Sequence, residues 1–231
     1  MSSGRRGQPV AVKLSDAVTL PVQVGASLRH RRFFHPTGVL AQGTIERTAP
    51  DGDGLPIRSC EIVGRVSKGI GLPGSLPDIV GLAWRMPPQL SGTPWDILLA
   101  STFAGQRILL CPATSWRNVT LSSLMPLKYE DTHWWLRARL TTRFDGGGLA
   151  LASVDDQLGR TGLEFELEQA PGTEGFRPLA RITLRKKVPH GRDVPFDPAL
   201  HIVPGVSLTP HWLAEFRRAA YERSRTGRGA E

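Results

Sequence analysis

Cysteine, tyrosine and methionine are scarce in this chain: its 231 residues include two Cys, two Tyr and three Met. Cys60 and Cys111 form no CxxC and match no zinc spacing. That excludes a disulfide scaffold and a thiolate zinc site, and both read as small buried thiols. No apolar run approaches the ~20 residues of a membrane-spanning helix. The opening stretch, MSSGRRGQPVAVKLSD, is basic but has no continuous apolar segment of the secretory kind. The expected location is the cytoplasm. Acidic residues are also in deficit, 21 against 29 Lys and Arg, for a net charge of +8. Such a balance favours anionic partners. The arginines scatter over turns and strand ends without a DNA- or RNA-binding signature, so no nucleic acid partner is expected.

Internal repeats and low-complexity segments are absent as well. What the chain does contain is a series of short alternating segments separated by turn chemistry. GVLAQGTIER (38–47), EIVGRVSK (61–68) and IVGLAWRM (79–86) alternate, and PWDILLAST (94–102) is a short apolar run. WLRARLTTRF (135–144), GLALASV (148–154), GLEFELEQ (162–169) and RPLARITLRKK (177–187) continue the pattern. GDG (52–54), GLPG (71–74) and DGGG (145–148) supply bends. The spacing predicts an α+β, mostly β fold built on an antiparallel barrel or sandwich. One helix is expected, at about 209–225, with Thr209 as cap and Pro210 in its first turn. Residues 1–25 read as a loosely ordered lead-in and 26–231 as a single domain that includes this helix.

On that helix Arg217 and Tyr221 stand four apart and share a face. A guanidinium beside a phenol favours the phenolate, which is a good ligand for a ferric ion. Taken alone, the pair is also an ordinary solvated helix end. At the other end of the chain, RRFFHPTG places Arg32 and His35 just before the first strand, and the next strand carries Arg65 and Ser67. Each of these also has a plain structural reading as a surface charge, a loop histidine or a strand serine. Trp95 reads as core, and Asp78 and Asp96 as turn and strand-end residues. His190, His201 and His211 show no ligand spacing with one another, and His133 in YEDTHWW reads as a loop histidine.

Taken in order, these pieces resemble the catalase family of haem proteins. The resemblance rests on Arg32-x-x-His35-x-x-Gly38, Arg65-x-Ser67, Asp78-x-x-Gly81-x-Ala83, Trp95-Asp96, Phe196-Asp197-Pro198 with Pro204-Gly205, and Arg217-x-x-x-Tyr221 with Arg228. It implies a catalase-like antiparallel β-barrel with flanking loops and a C-terminal helix. The implied cofactor is haem b, with ferric iron ligated by the Tyr221 phenolate and Arg217 stabilising that phenolate. Arg32, Arg65 and Arg228 would pair with propionates. His35 would be the distal acid–base group, oriented by Ser67.

The chain departs from the family in two respects. It is shorter, and residues 103–176 match nothing in the pattern. The distal Asn that follows the Trp-Asp pair is absent; Ala100 stands there, with Ser101 beside it. Loss of one preorganised donor costs about 10²–10³-fold in rate. The implied activity is therefore a haem-dependent, peroxidase-like reaction of hydrogen peroxide or an organic hydroperoxide with an organic electron donor, with weak or no true catalase turnover. The alternative is a catalytically inactive barrel that binds haem or an anionic or lipid-like small molecule. The oligomeric state is left open, a homodimer included.

Overall fold

The computed structural model describes residues 37–88, 92–103, 106–189 and 194–209. In chain order the elements are β1 (Thr37–Arg47), β2 (Cys60–Lys68), β3 (Val80–Met86), β4 (Trp95–Ser101), β5 (Thr120–Ser122), β6 (Leu127–Tyr129), β7 (Thr132–Leu140), α1 (Leu151–Arg160), β8 (Leu163–Pro171), β9 (Arg177–Lys187) and β10 (Val206–Leu208). The neighbour order is β7-β5-β4-β3-β2-β1-β9-β8, and β7 pairs with β8. The sheet thus closes into an eight-stranded antiparallel barrel, which leaves no free edge along the closed ring. β6 pairs with β7, and β10 with β6.

The predicted alternation sets the two faces of the wall. Ala41 and Ile45 of β1, Ile62 and Val66 of β2, and Leu82 and Trp84 of β3 point into the core. Leu99, Leu121, Leu136 and Phe165 fill it from the other side. Burying each Val, Leu, Ile or Phe side chain among these stabilises the fold by about 1.5–3 kcal/mol. β1 is flanked by β2 and β9, and in its pairing with β9 the register shifts between Gln42 and Gly43. A Cβ on Gly43 would lie 1.9 Å from the Thr183 carbonyl oxygen, so glycine is required for this close approach.

The β2–β3 loop is held by two buried charges. Lys68 Nζ donates to the carbonyls of Leu72, Gly74 and Leu76 at 2.6, 3.0 and 3.4 Å. The Asp78 carboxylate accepts from the amides of Ile70 and Leu72 at 2.7 and 2.8 Å. Asp78 therefore has the turn role expected of it.

One element differs from the sequence-based expectation. GLALASV does not form a strand: Leu151–Arg160 is a helix, with Val154 and Leu158 buried. Residues 151, 154 and 158 follow the helical period once the window extends to 160. Residues 103–176, unmatched in the sequence, supply β5 to β8 and close the barrel. The expected lead-in at 1–25 and the C-terminal helix lie outside the described residues, apart from Thr209. Its hydroxyl donates to the Pro126 carbonyl at 3.1 Å. Among the described residues, no helix is long and apolar enough to cross a membrane.

Candidate functional site

Residues opposed across an antiparallel pair project to the same side of the sheet. On the outer face of β1–β5 this produces three lateral rows. The first runs Gly38, Ser67, Gly81, Ala100 and Ser122. No side chain in this row is larger than serine. The second runs Leu40, Arg65, Ala83 and Leu98, a cation set among apolar groups. The third runs Gln42, Val63, Arg85 and Asp96. The antiparallel pairing of β1 with β2 brings Ser67 opposite Gly38 and Arg65 opposite Leu40.

The first row is a smooth floor. A Cβ on Gly38 would meet Arg65 Nε at 2.7 Å and Ser67 Cβ at 2.8 Å, so a side chain there would push into both. Strand glycines of this kind mark places where another group approaches the backbone closely. Ser67 is buried, and its Oγ lies 3.4 Å from the Gly81 carbonyl oxygen. Ser122 Oγ donates to the Arg107 carbonyl at 2.7 Å.

At the position of the missing amide, Ala100 sits on this face and contributes no donor. Ser101 points the other way. Its Oγ accepts from the Val80 amide at 3.0 Å and donates to the Cys111 carbonyl at 2.7 Å, tying three chain segments together. Thr102, the next residue on the outer side, is only 7% exposed, and its Oγ1 has no hydrogen-bond partner among the described residues. An unpaired buried hydroxyl costs about 1–3 kcal/mol.

The third row anchors the segment 194–203. Arg85 forms a two-point ion pair with Asp96, and its Nη2 also donates to the Pro195 carbonyl at 2.7 Å. The hydrogen bonds to Asp96 hold the guanidinium above its ordinary pKa, against the lowering effect of burial and with added attraction from Asp96 and Asp197. Asp96 Oδ2 accepts from the Asp197 amide at 2.7 Å and lies 2.8 Å from His201 Nδ1. The Phe196 ring lies 5.8 Å from the Arg85 guanidinium carbon. Asp96 was expected at a strand end with a structural role, and it has one. The sequence reading missed Arg85 and His201. The available signal was the charge at Arg85, on the outer face of β3 in a hairpin with Asp96.

Of the sequence-predicted site residues, Arg65 and Ser67 stand together on β2 beside Gly38. Arg32, His35, Arg217, Tyr221 and Arg228 lie outside the described residues. Among the described residues, no cluster of three or more His, Cys, Asp or Glu is placed to hold a metal ion.

With this wall in view, the comparisons are informative about the fold. No protein-family model matches the chain, and no curated protein matches it. Three solved structures are similar to it. A fungal catalase matches with a TM-score of 0.61 at 13% identity, over 94% of this chain and 64% of that one. Catalase A from Saccharomyces cerevisiae matches with a TM-score of 0.62 at 11% identity, over 97% of this chain and 67% of that one. A bacterial catalase matches with a TM-score of 0.60 at 14% identity, over 97% of this chain and 62% of that one. The chain has a catalase-like fold and spans about two thirds of the length of these proteins.

The described face fits haem in its chemistry. A flat macrocycle needs a floor free of bulky side chains, which Gly38, Gly81 and Ala100 provide. Its carboxylates need cations, and Arg65 is on the same face. A buried hydroxyl without a partner, at Thr102, suits a polar ligand atom above such a floor.

Proposed function

We propose that this protein binds haem b on the outer face of β1–β5 and uses it to react with hydrogen peroxide or an organic hydroperoxide, with an organic molecule as electron donor. The observation that carries this reading is the placement of Arg65 and Ser67 on one face, directly beside Gly38, in a barrel of catalase-like fold. Bound ferric haem would supply two-electron reduction of the peroxide O–O bond and then oxidation of the donor.

The chain's own residues would hold and steer this chemistry. Arg65, with Arg32 and Arg228, would pair with the propionates, since buried carboxylates need hydrogen-bonded cations. The Tyr221 phenolate would ligate the iron, and Arg217 would keep it ionised. His35 would serve as the proton carrier, a base towards the inner peroxide oxygen and then an acid towards the outer one. Ser67 fixes the orientation of that imidazole.

Ala100 on the face favours a second reading, in which the barrel binds haem or an anionic, lipid-like molecule without turnover. Absorption spectra of the full chain loaded with haem, wild type beside Tyr221→Phe, test the first. A Soret band with high-spin ferric features, shifted or lost in the variant, supports tyrosinate-ligated haem. No stoichiometric uptake rejects it. Stoichiometric uptake with no reaction towards any peroxide selects the second reading.

A further inference from the structure

The hydroxyl groups along β4 and its neighbours differ in one respect that no structural role explains. Ser101 turns inward and binds two backbone groups. Ser122 Oγ is engaged by the Arg107 carbonyl, and Ser67 Oγ has the Gly81 carbonyl within reach. Thr102 alone among them is buried on the outer side with an unpaired Oγ1. Its backbone is pinned on both sides. Its amide donates to the Thr120 carbonyl at 3.1 Å, and the residue bridges to Leu110. A β-branched side chain on a fixed strand has little χ1 freedom, so the direction of this hydroxyl is set in advance. Thr102 lies two residues beyond Ala100 on the same strand face, at the edge of the small-residue floor and one step from Ser122.

We propose that Thr102 Oγ1 is the hydrogen-bond donor to the oxygen atom or anion bound over this face, taking the part that Ala100 cannot play. The inference rests on the haem reading above and assigns a positioning role within that site. Oγ1 has a proton to give, it is shielded from water, and among the described residues no acceptor competes for it. A ligand carrying negative charge on the atom it presents to the wall, such as a deprotonating peroxide or a small anion, satisfies it. Donors preorganised in this way act most strongly where charge develops, because no reorganisation is needed when the ligand arrives.

The test uses the haem-loaded full chain and fluoride or azide as probe, so that it does not depend on turnover. Thr102→Val keeps the shape and removes the donor, and Thr102→Ser restores a hydroxyl. Dissociation constants and the absorption band of the fluoride complex are measured for wild type and both variants, with haem stoichiometry and thermal stability beside them. The expected result is a loss of fluoride and azide affinity of about ten- to a hundredfold in Thr102→Val, a shifted fluoride-complex band, and recovery of both in Thr102→Ser. Haem stoichiometry stays unchanged, and thermal stability is equal to wild type or higher, because the variant deletes an unpaired buried polar atom. Unchanged anion affinity in a fully haem-loaded Thr102→Val overturns the Thr102 assignment and leaves the haem reading standing. A Thr102→Val chain that is less stable than wild type also overturns it, since the hydroxyl would then have a structural partner. A wild-type chain that takes up no haem overturns both.

Discussion

Arg85 and Asp96 face each other across β3 and β4, with Nε 2.7 Å from Oδ1 and Nη2 2.7 Å from Oδ2. The Asp96 side chain is fully buried, and it also receives the Asp197 amide. Removing one partner from such a pair strands a buried charge, at a cost of about 3–5 kcal/mol. Arg85→Leu is expected to destabilise by about 3 kcal/mol in chemical denaturation. The double variant Arg85→Leu/Asp96→Leu is expected to cost clearly less than the sum of the two single variants, because neither charge is then left alone. Additive costs would mean that the two side chains act independently.

This pair also shows how far the sequence could be read. Trp95-Asp96 and Phe196-Asp197-Pro198 were both visible as motifs, yet nothing local says that they meet. Their contact depends on closure of the barrel over about a hundred intervening residues, and on Arg85 between them. Alternation in β1, β2 and β3 was legible because one face of each is apolar, but which face carries Arg65 and Ser67 beside Gly38 is set by the β1–β2 register. β5, β6 and β10 were not legible, since three residues are too few to display a period. The GLALASV segment was misread because its first residues alternate, whereas the helical spacing appears only at Leu158. Ser101 looked like the natural neighbour of the missing amide. The pleat turns it inward and brings Thr102 to the face instead.

Lys68 is a buried amine whose bonds go to the loop carbonyls of Leu72, Gly74 and Leu76. Lys68→Met keeps the stem and removes the donors, leaving carbonyls without partners at about 1–3 kcal/mol. The expected outcome is lower stability with faster hydrogen exchange at Ile70 and Leu72, whose amides are held by Asp78 in the same loop. Exchange there at the wild-type rate would show that Asp78 alone orders the loop.

Burial pushes the Cys60 thiol above its ordinary pKa. The thiolate is the reactive form, so alkylation of Cys60 by iodoacetamide near pH 8 is expected to be slower in the folded chain than in the denatured chain. The sign for stability follows. The neutral thiol is favoured in the folded state, so this contribution is complete below about pH 8.5 and declines as pH rises past the point where the unfolded chain ionises. Peptide-resolved mass spectrometry over a pH series measures the rate. A folded Cys60 that reacts as fast as the denatured one at every pH would contradict the burial argument.

Gly38 is where the stability of the barrel and the proposed chemistry meet. A methyl group there would stand 2.7 Å from Arg65 Nε and 2.8 Å from Ser67 Cβ. The Arg65 end is flexible and can swing away, whereas Ser67 Cβ sits on the paired backbone of β2 and cannot. Gly38→Ala therefore overpacks the first row, at about 1–3 kcal/mol, and turns Arg65 from the direction in which it would meet a propionate. Denaturation is expected to show the loss of stability, and haem titration of the full chain a weakened uptake. Arg65→Ala separates the two effects. It removes the cation without overpacking, so it is expected to weaken haem uptake while changing stability by much less than Gly38→Ala does. If Arg65→Ala binds haem as wild type does, the propionate role of Arg65 is wrong. The effect of Gly38→Ala would then be one of packing alone.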